Sequence, residues 1–240
     1  MPYTTPSRPN LDRRTLLKLL AAAGVTVAGG YTLFEYAPWL DDDQQANQVR
    51  RPFAKDTTLA APMRELVRYA TLAASGHNTQ PWRFAIQANA IEIHPDLTRH
   101  LPAVDSSDRE LWISLGCALE NLLIAARATG YAAEVTYPDA ADFIHIGLTA
   151  DTPQGSPLFD AIPLRQNTRS EYDDQLIPPA DLDQVQAVPL EPGVVLHFLT
   201  NPTERETVLD YVNQGNLSQY ADKAFVAELI DWVRFTKKES

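Results

Sequence analysis

The apolar positions change period several times between residues 59 and 235, and each change marks an element. From Leu59 onward, Met63, Leu66, Val67, Ala70 and Ala74 fall on one face at the helical period, which predicts an amphipathic helix. Gly76, Asn78 and Pro81 then break the pattern, so 75–82 reads as a loop. Two short strands follow at 83–87 and 91–94, tightly joined through Ala88, Asn89 and Ala90. The second helix has the fullest set of signals. Ser107 and Glu110 form a capping-box pair, Trp112, Leu115, Leu119, Leu122 and Ala126 make its apolar stripe, and Gly130 stops it. Strands are expected at 134–137, 143–148 and 194–199, and two further helices near 203–214 and 221–235. Helix and strand interleave, which predicts the α+β class, a sandwich with a mostly antiparallel sheet flanked by helices.

The first forty residues follow a different logic. A polar, basic stretch ends in Asp12-Arg13-Arg14-Thr15-Leu16-Leu17-Lys18, and a moderately apolar run reaches about Phe34. Paired arginines ahead of an apolar run rich in Ala and Gly resemble the twin-arginine (Tat) export signal. Residues 15–34 are also just long enough to span a bilayer, so a membrane anchor is the alternative. No clean Ala-x-Ala site closes the run, which leaves retention as an anchor open. Residues 41–57 are polar and charged and read as a linker.

Charge narrows the choice of partners. The formal net charge is −11, and residues 1–37 carry +2, so the remainder carries −13. So acidic a body argues against a broad nucleic-acid surface, because phosphate contacts need clustered Lys and Arg. The single cysteine, Cys117, has no partner for an internal disulfide and sits on an apolar helix face, where a buried structural thiol is expected. His77, His94, His100, His145 and His197 show no metal-ligand spacing, so no metal is expected. Glycine fingerprints for nucleotide phosphates and the Gly-x-Ser-x-Gly elbow are absent, which weakens kinase, hydrolase and classical NAD-binding readings.

Two constellations could carry chemistry. In 75–84, SGHNTQPWRF, Asn78 and Gln80 offer paired amide donors and acceptors suited to the edge of a planar heterocycle. Pro81 stiffens the loop and Trp82 supplies a large apolar wall. Taken as loop chemistry alone, an ordinary turn accounts for them better, since Asn, Gly and Pro are the standard turn residues. The second constellation is 165–169, RQNTR, in which Arg165 and Arg169 would converge on one phosphate if the segment formed a helical turn. A solvated loop paired with Glu171, Asp173 and Asp174 is the alternative.

Together these segments resemble a known family. Residues 74–84, ASGHNTQPWRF, are similar to the Ser-x-x-Asn-x-Gln-Pro-Trp signature of nitroreductase-like flavin mononucleotide (FMN) oxidoreductases. Gly116, Asn121 and Leu122, on a helix that ends in Gly130, resemble that family's Gly-x-x-x-x-Asn-Leu landmark. The His-Asn-Thr-Gln-Pro-Trp variant is most similar to the Acg-type branch, in which two such halves are fused, and the match spans about residues 60–240. The resemblance implies that Ser75, Asn78, Gln80 and Trp82 line a flavin site, with Asn78 and Gln80 facing the ring and ribityl chain. It likewise implies that Arg165, Asn167 and Arg169 hold the FMN phosphate, Asn167 standing where relatives have serine. In single-domain relatives the arginine element precedes the Gln-Pro-Trp loop, whereas here it follows by about eighty residues. That order suits two fused halves, 58–160 and an incomplete 161–240, in a chain that looks truncated.

The implied function is reduction of a nitroaromatic or quinone with electrons from NAD(P)H. No side chain need act as nucleophile or base, so no catalytic residue is assigned. The implied partners are the electron donor, a small-molecule acceptor, the Tat machinery and, as an option, a second copy in a homodimer. Localisation outside the cytoplasm, in the periplasm or anchored to the membrane, follows from the signal. Two alternatives stand: a non-catalytic protein that sequesters FMN, and a membrane-anchored envelope protein that has lost flavin binding.

Overall fold

The computed structural model describes residues 48–54, 60–139, 142–167, 172–173 and 175–233. The export segment, most of the linker, and Thr168, Arg169 and Glu171 lie outside the described residues. Pro52–Trp232 forms one compact unit, and the elements below belong to it.

Four strands make one antiparallel sheet: β1 (Trp82–Ile86), β2 (Ala90–Pro95), β3 (Tyr131–Thr136) and β4 (Ile144–Ala150), in the order β1-β2-β4-β3. Strand alternation sends every second side chain to one face. The register aligns Phe84 with Ile93 and Ile144, and Ile91 with Ile146 and Val135, so one apolar stripe crosses all four strands. Against this face pack α1 (Ala60–Ala70) and α2 (Arg109–Thr129). Leu66, Ile91, Ile93, Leu115, Leu122 and Ile146 are fully buried between them. Each such side chain contributes about 1.5–3 kcal/mol of burial. The chain is therefore α+β, with an antiparallel sheet flanked by helices.

The start of α2 differs from the expected capping box. Asp108 is its N-cap, in a left-handed conformation (φ 55°), and its side chain makes no cap hydrogen bond. The buried Asp105 replaces it, its Oδ2 accepting from the Leu111 N–H at 2.9 Å. The buried stripe is also rotated: Leu111, Ser114, Leu115, Ala118, Leu122, Ala125 and Ala126 face the core, while Trp112 is 42% exposed. Cys117 is partly buried and packs against the core. At the other end, Gly130 (φ 93°) closes the helix, as its position predicts. A Cβ there would lie 3.0 Å from the Asp151 carbonyl oxygen, so the site excludes other residues on steric grounds as well.

After β4 the chain forms α3 (Pro157–Ala161), α4 (Pro179–Gln186), α5 (Pro202–Ala221) and α6 (Lys223–Trp232). The two last helices match the expected pair near 203–214 and 221–235. The strand expected at 194–199 does not form: the segment is irregular and joins no sheet. Its apolar run fits a strand by composition, but a strand also needs a neighbouring edge for its N–H and C=O groups. Val194, Val195, Leu196 and Leu199 are exposed, and so is every residue of α5.

The two capping readings separate by mutation. Asp105→Ala should lower stability by about 1–2 kcal/mol in urea unfolding, since it strands a buried N–H, and Ser107→Ala should change it little.

Candidate functional site

The loop at 75–82 is an ordered turn rather than an open connection. Gly76–Asn78 forms one 3-10 turn after α1, and His77 (φ 47°), Asn78 (φ 56°) and Gln80 (φ 52°) all adopt left-handed backbone. Side-chain-bearing residues pay about 1–3 kcal/mol each for that conformation, and they keep it only where surrounding bonds impose it. Those bonds are present. Ser75 Oγ accepts from the Gln80 N–H at 3.0 Å, and the Ser75 and Gly76 carbonyls accept from Asn78 and Thr79. Buried Ser114 accepts the Gly76 N–H at 3.3 Å while donating its own hydroxyl to the Glu110 carbonyl. From the far side, Arg99 Nη1 donates to the Thr79 carbonyl at 2.8 Å, and the Asp96 N–H donates to the Pro81 carbonyl.

This frame sorts the candidate residues. Thr79, Pro81 and Trp82 point inward and are buried, Trp82 within the main core. Asn78 and Gln80 point outward and are exposed, and their carboxamides form no hydrogen bond among the described residues. The turn therefore presents two unspent amide groups on a rigid backbone, the donor set suited to a heterocycle edge. Asn121 instead serves the fold. Its Nδ2 donates to the Tyr69 carbonyl at 3.2 Å, a second bond to an oxygen that also accepts from the Leu72 N–H at 3.1 Å, and so ties α2 to the end of α1.

Arg165 reaches the same place from the other side. Its Nη2 donates to the Leu72 carbonyl at 2.9 Å, just ahead of the turn and 93 residues away in sequence. Its Nη1 donates to Asn167 Oδ1 at 3.2 Å. Residues 165–167 are not helical, and 168–169, the rest of the segment where a helical turn is expected, lie outside the described residues. The anchor of Arg165 is α3. Phe159 stacks on Tyr69 with ring centroids 4.9 Å apart, Ile162 is buried, and the Arg165 N–H donates to the Ala161 carbonyl. Asp173 accepts from the Gln175 N–H. Arg169 lies outside the described residues, so its place beside Arg165 is an expectation.

Two residues of the site escaped sequence reasoning. Ser114 lies seven residues before Asn121 on the inward face of α2, a polar pair in an apolar stripe that signals contact with backbone. His77 gives no such signal. Its Nε2 is buried without a hydrogen-bond partner, and its ring meets Phe225 of α6 edge-on at 6.2 Å. Glu228, one turn further on, accepts the Ala103 and Val104 N–H groups at 2.8 and 3.1 Å, which fixes α6 against the loop before α2.

The turn's dependence on Ser75 can be measured directly. Ser75→Ala should cost about 1 kcal/mol in urea unfolding and speed hydrogen exchange at the Gln80 amide, because its acceptor is gone.

No protein family's sequence profile matches the chain. Comparison with curated proteins does find relatives in Mycobacterium tuberculosis. "Putative NAD(P)H nitroreductase Rv3131" is 30% identical over 179 residues, covering 72% of this chain and 51% of the relative. "Putative NAD(P)H nitroreductase acg" is 31% identical over 132 residues, 52% of this chain and 39% of the relative. The chain spans about half the length of the curated relatives it matches, and over that half it is similar to proteins named as nitroreductases.

Proposed function

We propose that the chain is a nitroreductase-type oxidoreductase that binds FMN on the 75–82 turn and reduces a small nitroaromatic or quinone at the expense of NAD(P)H. One observation carries the reading: Arg165 is hydrogen-bonded to Leu72, beside a turn whose Asn78 and Gln80 amides are unspent. Groups for a flavin's two ends, a heterocycle edge and a phosphate, thus meet at the end of α1. The relatives' names point to the same chemistry.

In this reading each residue binds the flavin or positions a group that does. Asn78 and Gln80 contact the ring and ribityl chain, Ser75 holds Gln80 in place, and Trp82 backs the turn from the core. Arg165 with Asn167, joined by Arg169, holds the phosphate, for which a guanidinium fork is suited by its permanent charge and paired donors. The bound flavin supplies hydride acceptance and electron release, so the protein needs no nucleophile of its own. In the same reading, residues 58–160 are the first half of a fused pair and 161–240 belong to the second. The twin-arginine segment exports the chain, with cleavage and retention as an anchor as its two outcomes, and pairing of two copies is an option for completing the site.

The test is an absorbance spectrum of the full chain, loaded with FMN and desalted, followed by NADPH turnover with a quinone. Retained flavin bands with turnover are expected. Arg165→Ala should weaken FMN binding at least about tenfold. Asn78→Ala with Gln80→Ala should weaken it several-fold; those side chains hold no internal bonds, so the stability cost is confined to placing Ala at positive φ, chiefly at Asn78. A folded protein that never retains FMN would overturn the proposal.

A further inference from the structure

A cavity of about 460 Å³ opens beside the end of β2, and no residue of the 75–82 turn lines it. That volume lies in the range of small-molecule sites. Its walls include Arg83, His94, Asp96, Asp108, Trp112 and Asp142. Trp112 is the residue that helical periodicity assigns to the core; here it lines the cavity with 42% of its surface exposed.

The charges in the cavity are unevenly spent. Asp96 takes the Thr98 hydroxyl at 2.6 Å, and that bond, with the neighbouring Arg83 and Arg99 charges, holds its carboxyl below the ordinary range. Arg83 is thereby partly answered. His94 Nε2 is paired with a Glu92 carboxylate oxygen at 3.0 Å, and its ring stacks on Phe143 with centroids 4.8 Å apart. Asp108, released from helix capping by its left-handed backbone, lies 3.5 Å from His100 and is 38% exposed. Asp142 makes no hydrogen bond or ion pair among the described residues. Three carboxylates thus face one guanidinium beside an open indole face, in a chain whose own charge of −11 concentrates cations around it.

We propose that this cavity binds a flat organic cation, its ring against Trp112 and its positive centre toward Asp142 and Asp108. An indole face attracts cations through its quadrupole, and a carboxylate without a partner supplies the charge contact. Anions of similar shape meet net negative charge and are rejected. The site is separate from the flavin-type site and does not depend on it.

The probe is N-methylquinolinium, titrated calorimetrically into the full chain at low salt, with neutral quinoline at the same pH as its uncharged counterpart. Saturable binding of the cation is expected, at least about fivefold tighter than quinoline and weakened by added salt. Trp112→Ala and Asp142→Asn should each weaken it several-fold, and both positions are exposed enough for the fold to survive. Absence of saturable cation binding would overturn the proposal. Equal binding of cation and quinoline, or binding unchanged in Asp142→Asn, would do so as well.

Discussion

The candidate site depends on a backbone held where side-chain-bearing residues rarely go. Left-handed conformations at His77, Asn78 and Gln80 turn the chain sharply between α1 and β1. Without fixed partners for its N–H and C=O groups the turn would relax, and its two amides would scatter. The Ser75 and Ser114 hydroxyls, the Arg99 guanidinium and the Asp96 N–H supply those partners from the turn itself, from α2 and from the stretch after β2. Ser114 belongs to α2, and Asp96 and Arg99 follow directly on the end of β2, so the turn is tied to two of the elements that build the core. Fold and site are in this sense one hydrogen-bonded assembly.

The same logic explains how distant segments meet. The end of α1 leaves carbonyls without intrahelical partners. Arg165 takes that of Leu72, just past the helix, and Asn121 adds a second donor to that of Tyr69, which also accepts from the Leu72 N–H. An arginine that follows the turn by more than eighty residues is thereby placed beside it through ordinary helix-end satisfaction. Phe53, Tyr69 and Phe159 form the aromatic cluster that steadies this end, and the Arg68 guanidinium lies 4.7 Å from the Tyr69 ring centroid.

Much of this was legible in the sequence because local patterns and tertiary packing agree. The helical periods at Met63, Leu66 and Ala70 and at Leu115 and Leu122, the tight link through Asn89 and the stop at Gly130 each match what the fold uses. Where reading failed, a nonlocal partner decided. Asp105 displaced the Ser107–Glu110 capping box because its carboxylate, six positions upstream, accepts the Leu111 N–H and so offsets the cost of its own burial. The 194–199 run pairs with neither edge strand of the sheet, β1 or β3. Trp112 lies one position off the buried stripe, a rotation that periodicity over a long helix barely distinguishes. Asn78 and Gln80 were recognisable by type, but their outward aim comes from backbone angles that no residue pattern states.

The most direct measurement compares FMN with riboflavin, which lacks only the phosphate, in the full chain and in Arg165→Ala. The account predicts that FMN binds more tightly than riboflavin, and that the substitution removes most of this preference while leaving riboflavin binding nearly unchanged. Equal affinity for the two ligands in the unaltered chain, or an unchanged preference in Arg165→Ala, would contradict it.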